Sequence, residues 1–146
     1  MNNLTDILHI KYPIIQGGMG NISNAPLTAA ISEAGALGTI GVGTMSVEEV
    51  EEIVIDTKKR TGRPFALNIP VAITPHLKDM IRLVVKHGIP VVSLSAGNPA
   101  PFIPYFHEHN VKVICVVASK KQGKKAEDAG ADVIVAEGYE AAGINS

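Results

Sequence analysis

The chain holds a single cysteine, Cys115, among 146 residues. An internal disulfide is therefore excluded, and the composition agrees with a reducing cytoplasm. Charge is scarce and balanced: 13 basic and 14 acidic side chains leave a net charge of −1, and aromatics make up only 4%. With no basic stripe interleaved with aromatics, nucleic acid is not an expected partner, and a small molecule is. The N-terminal stretch MNNLTDILHI has no basic segment ahead of an apolar run, so no signal peptide is expected. One long run, Gly88 to Phe106, is free of charged side chains, but Pro90, Gly97, Pro99, Pro101 and Pro104 interrupt it. That spacing rules out a membrane helix. No cluster of His, Cys, Asp and Glu has the spacing of metal ligands, so no metal is expected.

What the chain does have is apolar residues, 46% of the total, arranged in short runs that alternate with longer amphipathic ones. Strands are predicted at Pro13–Gln16, Leu37–Val42, Pro64–Ile69, Pro90–Ser95, Val111–Val117 and Ala131–Ala136. Their apolar residues are consecutive rather than alternate, as in parallel strands covered on both faces. Between them, Leu27, Ala30, Ile31 and Ala34 fall at helical spacing, as do Val47, Val50 and Val54, and Leu77, Met80, Ile81, Val84 and Val85. Ser46 with Glu49 and Ser119 with Gln122 have capping-box spacing, and Thr74-Pro75 puts proline at a first helical position. Gly35, Gly62, Gly88, Asn110 and Gly130 follow helical patterns, where a left-handed residue closes the last turn.

These signals predict six strands joined by five helices in one α/β domain. The segments leaving the strands are built almost throughout from Gly, Asn, Ser and Ala. A doubly wound nucleotide-binding sheet concentrates such residues in one or two crevice loops; small polar turns after nearly every strand suit the mouth of a TIM-type (β/α)8 barrel. Such a barrel takes eight units and about 250 residues. Residues 1–146 are accordingly expected to be the N-terminal portion of one barrel domain, about six βα units, with apolar strand edges able to pair with another copy.

The first of those loops, QGGMG, places Gly17, Gly18 and Gly20 just before a helix. Glycines there expose backbone N–H groups and make room for an anion or a flat ring. The spacing is not G-x-G-x-x-G, because Ser23 stands at the sixth position from Gly18, and no Walker lysine follows. Elsewhere Ser95 and Asn98 belong to a mouth loop. His107 and His109 lie on different faces of a helix, and His9, His76 and His87 fall away from the predicted mouth. Cys115 reads as a small core residue.

Four motifs in order, Tyr-Pro-Ile-Ile-Gln-Gly-Gly-Met (12–19), Pro-Phe-Ala-Leu-Asn-Ile (64–69), Ala-Gly-Asn-Pro (96–99) and Val-Ala-Glu-Gly-Tyr-Glu-Ala-Ala-Gly (135–143), run through the chain. On them the sequence resembles the nitronate monooxygenases, formerly 2-nitropropane dioxygenases, a family that includes flavin-dependent enoyl-acyl-carrier-protein reductases. The resemblance implies an FMN-dependent oxidoreductase on a barrel, oxidising nitronates with oxygen or, alternatively, reducing enoyl thioesters with NAD(P)H. A third alternative is a flavin-binding homologue or fragment without catalysis. It also implies that the backbone of Gly18, Met19 and Gly20 meets the flavin, and that the Asn68 amide hydrogen-bonds the polar ring edge. Glu137, Ala142 and Gly143 are implied to belong to the loop that contacts the flavin. The family's histidine follows that last glycine; here the position is Ile144, which transfers no proton, so no catalytic residue is assigned.

Overall fold

Strands and helices alternate through the computed structural model, which describes residues 3–141. A short helix α1 (Leu4–Leu8) leads to a 3-10 turn (Gly20–Ile22) and α2 (Ala25–Glu33). Then follow β1 (Gly38–Gly41), α3 (Val47–Arg60), β2 (Phe65–Pro70), α4 (Leu77–Lys86), β3 (Val91–Ser95), α5 (Ile103–Glu108), β4 (Lys112–Val117), α6 (Lys120–Asp128) and β5 (Val133–Ala136).

The five strands form one parallel sheet in the order β1-β2-β3-β4-β5. The segment predicted as a first strand, Pro13–Gln16, is reduced to a single parallel bridge, Ile15 to Leu37. Pro13 has no N–H to give, and the Gln16 side chain takes over where the ladder would continue: its Oε1 accepts from the Thr39 N–H at 3.0 Å. Six strand positions thus lie side by side in chain order. A doubly wound sheet reverses its order at a switch point; none occurs here. The fold is α/β, a part of a (β/α)8-type barrel.

Pairing register divides the side chains cleanly between two faces. One face carries Ile40, Leu67, Ile69, Val92, Leu94, Val113 and Cys115, buried with Val50, Val54, Met80, Val84 and Phe106 of the covering helices. Right-handed crossovers put the helices on one side of such a sheet, so this is the outer layer. The opposite, inner face is smaller and more polar. At the N-terminal ends of its strands Leu37, Ala66, Val91 and Ile114 pack against Leu8, which is 1% exposed. Helix α1, with Leu4, Ile7 and Leu8 on one side, therefore closes that end and leaves the C-terminal end open.

The helix boundaries follow local chemistry. Ser46 and Glu49 form the predicted capping box, with both hydrogen bonds made. Ser119 caps Gln122, whose Oε1 accepts from Ala118 N–H instead of closing the box. Thr74-Pro75 does not start α4: the Thr74 hydroxyl donates to the Pro70 carbonyl, and the helix begins after a left-handed His76. Four of the predicted stops, Gly35, Gly88, Asn110 and Gly130, are left-handed. Gly62 is not, because α3 closes on extended Thr61, whose hydroxyl donates to Glu33 at 2.6 Å.

One ionic cluster fastens α5 to the last two strands. Asp132 accepts from the Val113 N–H, from Lys112 Nζ and from His107 Nε2, each at 2.9 Å. His107 is therefore a structural partner. Partial burial alone would raise the Asp132 carboxyl, but those three donors outweigh it and hold it below its ordinary value. Cys115 is fully buried in the outer layer; burial, and then the negative charge of Asp132, push its thiol up to about 11.

Two outcomes follow from these environments. The Cys115 thiol stays protonated and shielded near neutral pH, so it should resist alkylation by iodoacetamide in the native protein and react fully in denaturant; rapid native labelling would contradict this placement. Asp132, lowered in the folded state, contributes stability above the unfolded carboxylate value of ~3.9 and loses it as pH falls through the folded value. Asp132→Asn should lower the melting temperature near neutral pH and flatten its decline on acidification, as read from thermal melts across that range.

Candidate functional site

A cavity of about 680 Å³ opens on the inner face at the C-terminal ends of the strands. That size lies within the range of ligand pockets. The loop carrying Gly18, Met19 and Gly20, the inner side of β2 with Asn68, and the segment after β5 with Glu137 all line it. Ser95 lines it as well, whereas Asn98 does not and caps the N–H of Ala100. Ala142, Gly143 and Ile144 lie outside the described residues.

The glycine loop is fixed by a small polar network. Gln16 Nε2 donates to the Ser23 hydroxyl at 3.0 Å and also to the Gly17 carbonyl, and Ser23 Oγ accepts from the Met19 N–H at 2.7 Å. Ser23 is 1% exposed, so this is a buried clamp. Its effect is to press the loop onto β1 and β2. A Cβ on Gly18 would lie 2.8 Å from Asn68 Cβ, and one on Gly41 would lie 2.7 Å from the Gly20 nitrogen. Side chains are absent at these two positions because the backbones approach closely. Gly17 and Gly20 differ: an added Cβ meets nothing within 4 Å. There the missing side chains leave open space beside the cavity.

Across the mouth, β2 and β3 stay joined beyond their ends, Val71 N–H donating to Ser95 and Ala72 N–H to Ala96. Ala96 is held left-handed, at φ 47°. Backbone strain of this kind costs on the order of 1–3 kcal/mol and gathers at functional sites.

The cavity is poor in charge. Among its described lining residues Glu137 has the one titratable side chain, and there is no Lys, Arg or His. Three further polar residues line it: Gln16, within the first motif, and Thr39 and Ser93, which lie in none of the four. Thr39 and Ser93 interrupt otherwise apolar strands, and that interruption is their only mark in the sequence. The Thr39 hydroxyl is buried without a hydrogen-bond partner among the described residues. No group of three metal-binding side chains occurs among the described residues, and no helix there is long and apolar enough to cross a membrane.

Comparison with known proteins converges on one family. A family model described as nitronate monooxygenase matches residues 1–80. A "probable nitronate monooxygenase" of Staphylococcus saprophyticus is 31% identical over 175 aligned residues, covering 96% of this chain and 49% of that protein. A hydroxy-methyl-oxo-octahydroindene carboxyl-CoA dehydrogenase of Mycobacterium tuberculosis is 30% identical, over 96% of this chain and 39% of that protein. Among solved structures, a FabK mutant from Thermotoga maritima superposes with a TM-score of 0.91 at 39% identity, covering 94% of this chain and 46% of that one. The chain spans half or less of the length of these relatives.

The two kinds of glycine are separable by substitution. Gly18→Ala should cost about 1–3 kcal/mol, as expected for overpacking against backbone and Asn68, while Gly17→Ala should stay within about 0.5 kcal/mol of the unaltered chain. Chemical denaturation of both variants measures this; equal stabilities would refute the close-packed account of the loop.

Proposed function

Because the chain belongs to the nitronate monooxygenase family, we propose that it works as part of an FMN-dependent oxidoreductase that oxidises nitronates with oxygen. The observation that carries this reading is the gathering of Gly18, Met19, Gly20, Asn68 and Glu137 around one cavity, although they come from three separate stretches of the sequence. The residues suit a flavin. Its ring system is flat, with apolar faces and one polar edge, and the cavity offers open backbone at Gly17 and Gly20, aliphatic walls at Ile114 and Val116, and the Asn68 amide. FMN, when bound, supplies the electron and hydride chemistry that no side chain has.

The chain's own part is positioning. Asn68 would hold the ring edge with a donor and an acceptor. The loop clamped by Gln16 and Ser23 holds its backbone against β1 and would offer that backbone to the ring. Proton transfer falls to a group other than Ile144, and Glu137 is the titratable side chain that the described lining supplies.

A second reading, reduction of an unsaturated acyl thioester by NAD(P)H, is favoured by the carboxyl-CoA dehydrogenase relative, whose name specifies a thioester substrate. Flavin analysis of the purified chain, followed by anaerobic addition of a nitronate or of NAD(P)H, separates the two. We expect bound FMN and bleaching by the nitronate alone. Bleaching only by NAD(P)H would favour the thioester reading, and a chain that takes up no flavin would overturn both.

A further inference from the structure

Polar side chains are rare on the inner face of the sheet, and two of them are neighbours. Asn68 on β2 and Ser93 on β3 are register partners, which sets them about 4.8 Å apart across parallel strands and on the same face. The rest of their row is apolar or empty: Ile114 follows Ser93 on β4, and Gly41 precedes Asn68 on β1 with loop backbone packed over it. Ser93 is only 8% exposed and lines the cavity. Neither its hydroxyl nor the Asn68 amide has a hydrogen-bond partner among the described residues.

The Ser93 hydroxyl opens on the cavity, whereas that of Thr39 on the same face is buried without a partner among the described residues, and polar groups in such places ordinarily find partners. Ser32 on α2 finds one in the Pro64 carbonyl, at 2.9 Å. Ser93 faces the cavity instead, where a molecule that enters can pair with it. The Asn68 amide provides two donors and an acceptor, and the Ser93 hydroxyl provides one donor beside them. Such a pair matches an edge on which an imide N–H stands between two carbonyl oxygens: the amide meets the N–H and one carbonyl, and the hydroxyl donates to the other.

We propose that Ser93 is a ligand contact that works with Asn68 to read the imide edge of the bound ring. The inference rests on the flavin reading above and adds a residue that the family motifs do not mark. It also says how the ring lies: its imide edge points over the β2–β3 pair, towards the inner face.

Titration of the full chain with FMN and with its N3-methylated analogue tests this, read by flavin fluorescence and absorbance alongside the melting temperature of the flavin-free chain. Ser93→Ala should bind FMN about tenfold more weakly, the loss of one hydrogen bond to a buried group. Its flavin-free melting temperature should be unchanged or higher, because the hydroxyl has no protein partner to lose. Ser93→Thr, which keeps the hydroxyl, should retain the unaltered affinity, and the methylated flavin should bind weakly to the unaltered protein and to Ser93→Ala alike. Unchanged FMN affinity in Ser93→Ala, or the same tenfold loss with the methylated flavin, would overturn the inference while leaving the flavin reading intact. An unaltered chain that binds no FMN would overturn both.

Discussion

The site depends on one close approach: the backbone of residues 17–20 lies directly against β1 and β2. The contact is possible only because Gly18 and Gly41 carry no side chains, since a Cβ on either would sit under 3 Å from its neighbour. Gln16 and Ser23 supply the hydrogen bonds that hold the approach, the former by pairing with the Thr39 N–H in place of a regular ladder bond. From this contact follow the direction in which Asn68 stands, the position of the 3-10 turn and the entry into α2, where Asn24 caps the Leu27 N–H. A loop one side chain thicker would stand away from the sheet and fill the mouth it now frames.

The two faces of the sheet are built under different demands. Outward, large aliphatic residues and Phe106 fill the space beneath the helices, where close packing stabilises the fold and volume changes are felt. Inward, the residues must leave a space. Leu8 of α1 fills the N-terminal end, and above it the face changes to Thr39, Asn68 and Ser93. Nothing about parallel pairing requires polar groups at these positions, and their burial carries a desolvation cost unless something enters to pair with them. Close packing is thus concentrated on one face and open cavity on the other.

Much of this was legible in the sequence. Consecutive apolar runs marked the strands, the Ser46 and Glu49 pair marked the start of α3, and small polar turns after successive strands pointed to a barrel rather than an open sheet. What failed were features fixed by long-range contacts. Pro13–Gln16 has the composition of a strand, yet Gln16 spends its side chain on β1 and only a bridge forms. Thr74-Pro75 has the pattern of a helix start, yet Thr74 bonds back to Pro70. The glycines of QGGMG look alike in one dimension; only in the fold do Gly18 and Gly17 separate into a packing constraint and an open space. Ser93 gave no motif, because its meaning comes from the partner that register places beside it.

The chemistry of the cavity follows from what its walls carry. A site that moves protons with its own groups needs an acid or base whose ordinary range suits the task, and the described lining offers one carboxyl, Glu137, and no basic side chain. Its polar groups, Asn68, Ser93 and Thr39, are neutral and suited to recognition. Such an arrangement suits orientation of a ligand by hydrogen bonds between aliphatic walls; under the proposed function the redox step would belong to a bound group. The surface that frames the cavity thus combines aliphatic walls with neutral polar groups whose hydrogen bonds the described residues leave unmade, which is the chemistry the proposed flat ring requires.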